Sequence, residues 1–115
     1  MVVKPDSVLT LVREYIRALE KNGYKITGAF LFGSYAKGTA HEWSDIDIAL
    51  VSPDFTGDRF RDRQKIVPLR RQIDVRLEPM PFRPRDFKND PIMAEEIKQT
   101  GLPVPLGRQT GKKIL

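Results

Sequence analysis

The chain contains no cysteine in its 115 residues. That excludes disulfides, zinc thiolate sites and thiol nucleophiles, and it agrees with a reducing compartment. No apolar run approaches the roughly 18 residues needed to cross a bilayer, and no signal-peptide pattern opens the sequence. The expectation is therefore a soluble, cytoplasmic protein. There is no internal repeat and no low-complexity tract. A chain of this length suits one domain, residues 1–115, which buries roughly two-thirds of its unfolded surface.

Charge is plentiful but unevenly placed. The formal net charge is +5, yet residues 1–57 hold six Lys/Arg against seven Asp/Glu, and residues 58–115 hold fourteen against eight. A basic second half fits polyanion binding, such as a nucleoside triphosphate or RNA, and it also fits simple solubility.

The most informative stretch is residues 30–51, FLFGSYAKGTAHEWSDIDIALV. An apolar run stops at Gly33-Ser34, a polar segment follows, and a second apolar run carries Asp45 and Asp47 at its entry. Side chains two apart on a strand share a face, with Cα atoms roughly 7 Å apart. Two like charges about 4 Å apart repel by roughly 4 kcal/mol at the effective dielectric of a protein surface, so the pair calls for a cation. Mg²⁺ takes oxygen ligands and keeps water or substrate phosphate in its shell, which suits an Asp-x-Asp edge. An isolated Asp-x-Asp is more often a solvated strand end or a cap. Upstream, Gly33 can take φ > 0 and admit a phosphate to the backbone, and Ser34 supplies a hydroxyl where residues 35–39 form a short helix whose N–H groups would face the carboxylates.

Gly33, Ser34, Gly38, Ser44, Asp45 and Asp47, in that order between hydrophobic strands, resemble the signature of the DNA polymerase beta-type nucleotidyltransferase superfamily. The similarity is greatest to the minimal nucleotidyltransferases and extends over roughly residues 9–78. The resemblance implies an α+β fold, a small mixed β-sheet with helices packed on one face. It implies Asp45 and Asp47 as catalytic metal ligands, Gly33 and Ser34 as holders of the terminal phosphates, two Mg²⁺ ions, and ATP as substrate. It also implies a third carboxylate on a neighbouring strand. Residues 73–77, which alternate apolar and polar, make Asp74 the candidate.

The remaining segments read as scaffold. Asp6 or Ser7 can cap a first helix whose apolar positions 8, 9, 11, 12, 15, 16 and 19 share a face, with Asn22-Gly23 as the stop. That makes Tyr15 a packing residue. Residues 24–32 form the first strand. His41 is the sole histidine; a general-base role is chemically open, while a solvent-facing loop position is the plainer expectation. Trp43 could stack on a base or anchor the loop partly buried. Lys37 could help with phosphate charge, while an ordinary surface lysine is the plainer expectation. Asp58 can cap a helix that Pro68 ends, and Arg59, Arg63 and Arg70 form a basic face, either solvated or bound to an anion. The prolines of residues 79–84 look extended and unsuited to a central strand. A final helix runs to about Thr100 with Asp90 as cap and Gly101 as stop, and residues 102–115 form a tail.

The mechanism the resemblance implies is attack of a hydroxyl on the α-phosphate of ATP with release of pyrophosphate. Too few residues follow the third strand for a substrate domain, so the expected acceptor is a partner chain. Minimal nucleotidyltransferases are typically encoded beside a small helical HEPN protein, and some such pairs are toxin–antitoxin systems in which AMP is transferred to the HEPN ribonuclease. Two alternatives are a module that masks its HEPN partner by binding alone, and nucleotidylation of a small molecule such as an aminoglycoside.

Overall fold

A computed structural model describes residues 5–106. The order of elements is α1 (Pro5–Lys21), β1 (Gly28–Phe32), α2 (Ser34–Lys37), β2 (Ile46–Val51), α3 (Arg59–Ile66), a 3-10 helix (Val67–Gln72), β3 (Leu77–Phe82), α4 (Pro84–Asn89), α5 (Met93–Thr100) and β4 (Leu102–Pro103). No helix among the described residues is long and apolar enough to cross a membrane.

The four strands form one mixed sheet in the order β3-β2-β1-β4. β1 runs antiparallel to both β2 and β4, and β2 runs parallel to β3. The fold class is the expected one, but the helices are not confined to one face. On one side Ile46, Ile48, Leu50, Leu31 and Leu77 pack with Val8, Val12, Tyr15, Ile16 and Leu19 of α1. On the other, Ala49, Val51 and Phe82 pack with Phe87 of α4 and with Ala94 and Ile97 of α5. The reason lies in β2 itself: its odd residues beyond Asp47 are as apolar as its even ones, so both faces need cover.

Local chemistry accounts for most element boundaries. Asp58 accepts from the Arg61 N–H at 3.1 Å and starts α3, while Pro68 forces the chain out of the α-helix into the 3-10 helix. Asp90 Oδ1 accepts from the backbone N–H groups of Ile92, Met93 and Ala94 ahead of and within α5. Tyr15 is wholly buried, and its hydroxyl donates to Ile66 O at 2.6 Å, tying α1 to the end of α3. Two expectations shift. α1 starts at Pro5, ahead of the Asp6–Ser7 cap, and β1 is shorter than residues 24–32. Of the tail, residues 102–106 return to the fold through β4, with Val104 and Leu106 buried; its remainder lies outside the described residues.

The largest departure concerns the third strand. Residues 73–76 are a turn, where Asp74 N–H donates to Arg70 O, and the strand begins only at Leu77. β3 is the proline-studded segment. It escapes the penalty on proline because it is an edge strand: Arg76 O and Phe82 O accept from β2 and its extension, so Pro79 and Pro81 turn their missing N–H positions outward. The exposed edge is closed by two arginines. Arg63 donates to Pro79 O at 2.6 Å and Arg70 to Leu77 O at 2.7 Å.

Candidate active site

The site lies at the end of the sheet where β1 stops and β2 starts. Phe32 pairs with Asp47 across the antiparallel ladder, which brings the next residue, Gly33, against the Asp47 side chain. Gly33 has φ 72°, a region that side chains rarely adopt, and a Cβ built on it would collide with Asp47 Oδ2. Only glycine lets the backbone pass this close to the carboxylate. Ser34 follows as the first residue of α2, a single turn that no side chain caps and whose Ala36 and Lys37 N–H groups both donate to Gly33 O at 3.1 Å.

Asp45 is exposed at the end of the loop and Asp47 is half-buried on β2. Burial pushes the Asp47 carboxyl above the usual carboxylate range, and the charges of Asp45 and Glu78 push it the same way. Glu78 is the residue aligned with Asp47 on the parallel strand β3, so the two acids stand side by side on one face. Sequence patterning missed Glu78. The available signal was the alternation of Glu78, Met80 and Phe82, obscured by the intervening prolines. The partner of Asp47 is set by strand register, which no local pattern encodes.

Asp74 does not lie on β3. It occupies the turn before β3, and its carboxylate is gripped by Arg76: Nε donates to Oδ1 at 3.0 Å and Nη2 to Oδ2 at 2.8 Å. These hydrogen bonds hold Asp74 below the usual carboxylate range. Glu78 is also paired, accepting from Arg63 at 3.2 Å and Arg70 at 3.1 Å. The face of Arg59, Arg63 and Arg70 is therefore not simply solvated, since Arg59 in turn stacks over the Phe82 ring at 4.9 Å.

The loop before Asp45 is a closed turn. Ser44 N–H donates to His41 O and His41 N–H donates to Ser44 Oγ, both at 2.9 Å. His41 is solvent-facing, while Trp43 is 77% exposed and so is no buried anchor. Lys37 lines a small cavity of about 90 Å³ with Gly33 and with Met93 and Glu96 of α5.

Among the described residues no three His, Asp or Glu side chains form a ready-made ion cage. The donor set nonetheless suits Mg²⁺, which is commonly held by one or two carboxylates and completes its shell with water and substrate phosphate. Asp45 and Asp47 supply hard oxygen donors, and Gly33, lacking a side chain, lets the backbone leading into α2 lie against the Asp47 carboxylate.

Residues 12–101 match the nucleotidyltransferase domain family. A candidate protein adenylyltransferase of Methanocaldococcus jannaschii, MJ1305, is 30% identical over 101 residues, 84% of this chain and 62% of that protein. The protein adenylyltransferase MntA of Shewanella oneidensis is 49% identical over 39 residues, 34% of this chain and 28% of that protein. This chain thus spans less than two-thirds of either relative. In three dimensions it resembles a toxin–antitoxin crystallised with AMP-PNP, with a TM-score of 0.61 over 90% of this chain and 77% of that one; at 23% identity the likeness shows the fold.

Proposed function

Since the chain belongs to the nucleotidyltransferase domain family, we propose that it transfers AMP from ATP to a hydroxyl of a partner protein, as the antitoxin of a pair whose toxin is a helical HEPN-type protein. The observation that carries this proposal is the half-buried Asp47 set beside Asp45 and Glu78, with the Gly33 backbone packed against its carboxylate. Adenylyltransferase relatives and a fold-neighbour crystallised as a toxin–antitoxin with an ATP analogue support the choice of nucleotide and partner.

Asp45 and Asp47 would hold Mg²⁺ in this scheme, with Glu78, beside Asp47 on β3, as the third carboxylate. An ion held there would neutralise charge on the triphosphate and lower the pKa of the attacking hydroxyl. Gly33 and Ser34 present backbone N–H groups and the Ser34 hydroxyl to the terminal phosphates. The acceptor oxygen forms a bond to the α-phosphorus, the bond from that phosphorus to the bridging oxygen breaks, and pyrophosphate leaves. The hydroxyl proton passes to a carboxylate of the Asp47–Glu78 pair. Holding acceptor and triphosphate in line is the main contribution of the protein, since no covalent intermediate is needed.

The test is incubation with α-labelled ATP, Mg²⁺ and the product of the neighbouring gene. Label appears on the partner with the wild-type chain and is lost with Asp45→Asn and with Asp47→Asn. Unlabelled partner that those variants still bind and inhibit would replace transfer with simple masking.

A further inference from the structure

Resting on that reading, we propose that Arg76 is a positioning residue for the transfer: it brackets the turn that delivers Asp45 to the helix that starts at Ser34. Its guanidinium reaches three separate segments. Nε and Nη2 hold Asp74; Nη1 donates to Glu42 O at 2.8 Å and to the Tyr35 hydroxyl at 3.3 Å. Tyr35, the second residue of α2, passes the connection on by donating to His41 O at 3.4 Å. The Arg76 carbonyl meanwhile accepts from Ile46 N–H at 2.8 Å, between Asp45 and Asp47. One residue thus touches the phosphate turn, the loop before Asp45, and the first strand residue after it.

The loop needs such a bracket because little else fixes it. His41, Glu42 and Trp43 are all exposed, and no apolar side chain of residues 41–43 enters either core. The internal Ser44–His41 bonds shape the turn without fastening it to the body. Arg76 does the fastening, and Asp74 keeps the guanidinium aimed, both side chains being only about a fifth exposed, 22% and 20%. A planar fork with several donors suits this task, and a lysine ammonium cannot reach Asp74, Glu42 and Tyr35 in one geometry. Asp74 therefore acts through Arg76.

The chain's single tryptophan lies in the bracketed turn and reports on it directly. The experiment compares wild type, Arg76→Ala, Arg76→Lys and Tyr35→Phe by thermal unfolding, by Trp43 anisotropy decay without ligand, and by Mg·ATP-dependent labelling resolved into kcat and KM. The bracket predicts a folded Arg76→Ala with faster Trp43 depolarisation and kcat lowered about 100-fold, the cost of roughly 1 Å of misplacement. Arg76→Lys fails to restore either, and Tyr35→Phe shifts both in the same direction by less. Wild-type Trp43 dynamics in Arg76→Ala, a rate loss no greater than its loss of folded fraction, or full rescue by lysine overturns the proposal. Should Arg76→Ala not fold, an unchanged kcat and anisotropy decay in Tyr35→Phe overturns it, and the graded shift upholds it. A wild type that labels nothing sinks the proposed function instead, and the anisotropy series still decides the bracket.

Discussion

Asp47→Asn should make the ligand-free protein more stable while abolishing transfer. Asp47 lies two residues from Asp45 on the same chain and directly beside Glu78 on β3. Strand geometry puts these neighbours about 7 Å and about 5 Å away, so at an effective dielectric near 20 each full repulsion is roughly 2–3 kcal/mol. Glu78 is largely neutralised by Arg63 and Arg70, and Asp45 is exposed to screening water, which reduces the net gain to about 1 kcal/mol. For a domain of this size that is a rise in Tm of about 4 °C. Mg²⁺ with a non-hydrolysable ATP analogue should reverse the order, because ligand stabilises only the chain that binds it. The assay is thermal unfolding at pH 7 with and without Mg²⁺ and analogue. An Asp47→Asn chain that melts below wild type without ligand, or that gains as much from the ligand, would refute the reasoning.

Gly33→Ala combines a left-handed φ with a Cβ driven into Asp47; it should cost about 1–2 kcal/mol in urea unfolding and at least about 100-fold in transfer, and wild-type activity would remove the close approach from the account. Tyr15→Phe leaves the packing volume and deletes the hydroxyl that Ile66 O accepts, so equilibrium unfolding should show a loss of about 1–2 kcal/mol; no change would mean that water replaces the bond. The folded-state pKa of Asp74 is depressed, so its contribution is present above the unfolded value of about 4 and is lost as pH falls through the lower folded value. Tm scans from pH 7 to pH 2 should show a steeper acid decline for wild type than for Asp74→Asn, and parallel curves would contradict the pairing.

The parts legible in the sequence are those set by local chemistry. The glycine at 33, the short helix after it, the Asp58 and Asp90 caps and the apolar face of α1 each follow from neighbouring residues. The stretch 73–77 alternates as a strand should, yet Asp74 and Arg76 satisfy each other and the Arg70 carbonyl in a turn, and that competing set of bonds wins. Prolines at 79 and 81 argue against a central strand, and the edge position they are compatible with became visible only once the sheet order was known. Helices on the second face were hidden because Phe30, Phe32 and Phe82 could equally have been surface or core until α4 and α5 covered them. Glu78 was missed for the same kind of reason: the neighbour of Asp47 is chosen by parallel register between segments about thirty residues apart, not by spacing.

That register underlies the proposed chemistry. Its most direct test is a side-by-side measurement of Mg²⁺-dependent AMP transfer by Glu78→Gln and Asp74→Asn. With Glu78 in the acid cluster, Glu78→Gln should lose at least about 100-fold in kcat, whereas Asp74→Asn, which keeps an oxygen for Arg76, stays within about tenfold. The opposite order, with Asp74→Asn inactive and Glu78→Gln near wild type, would contradict the account.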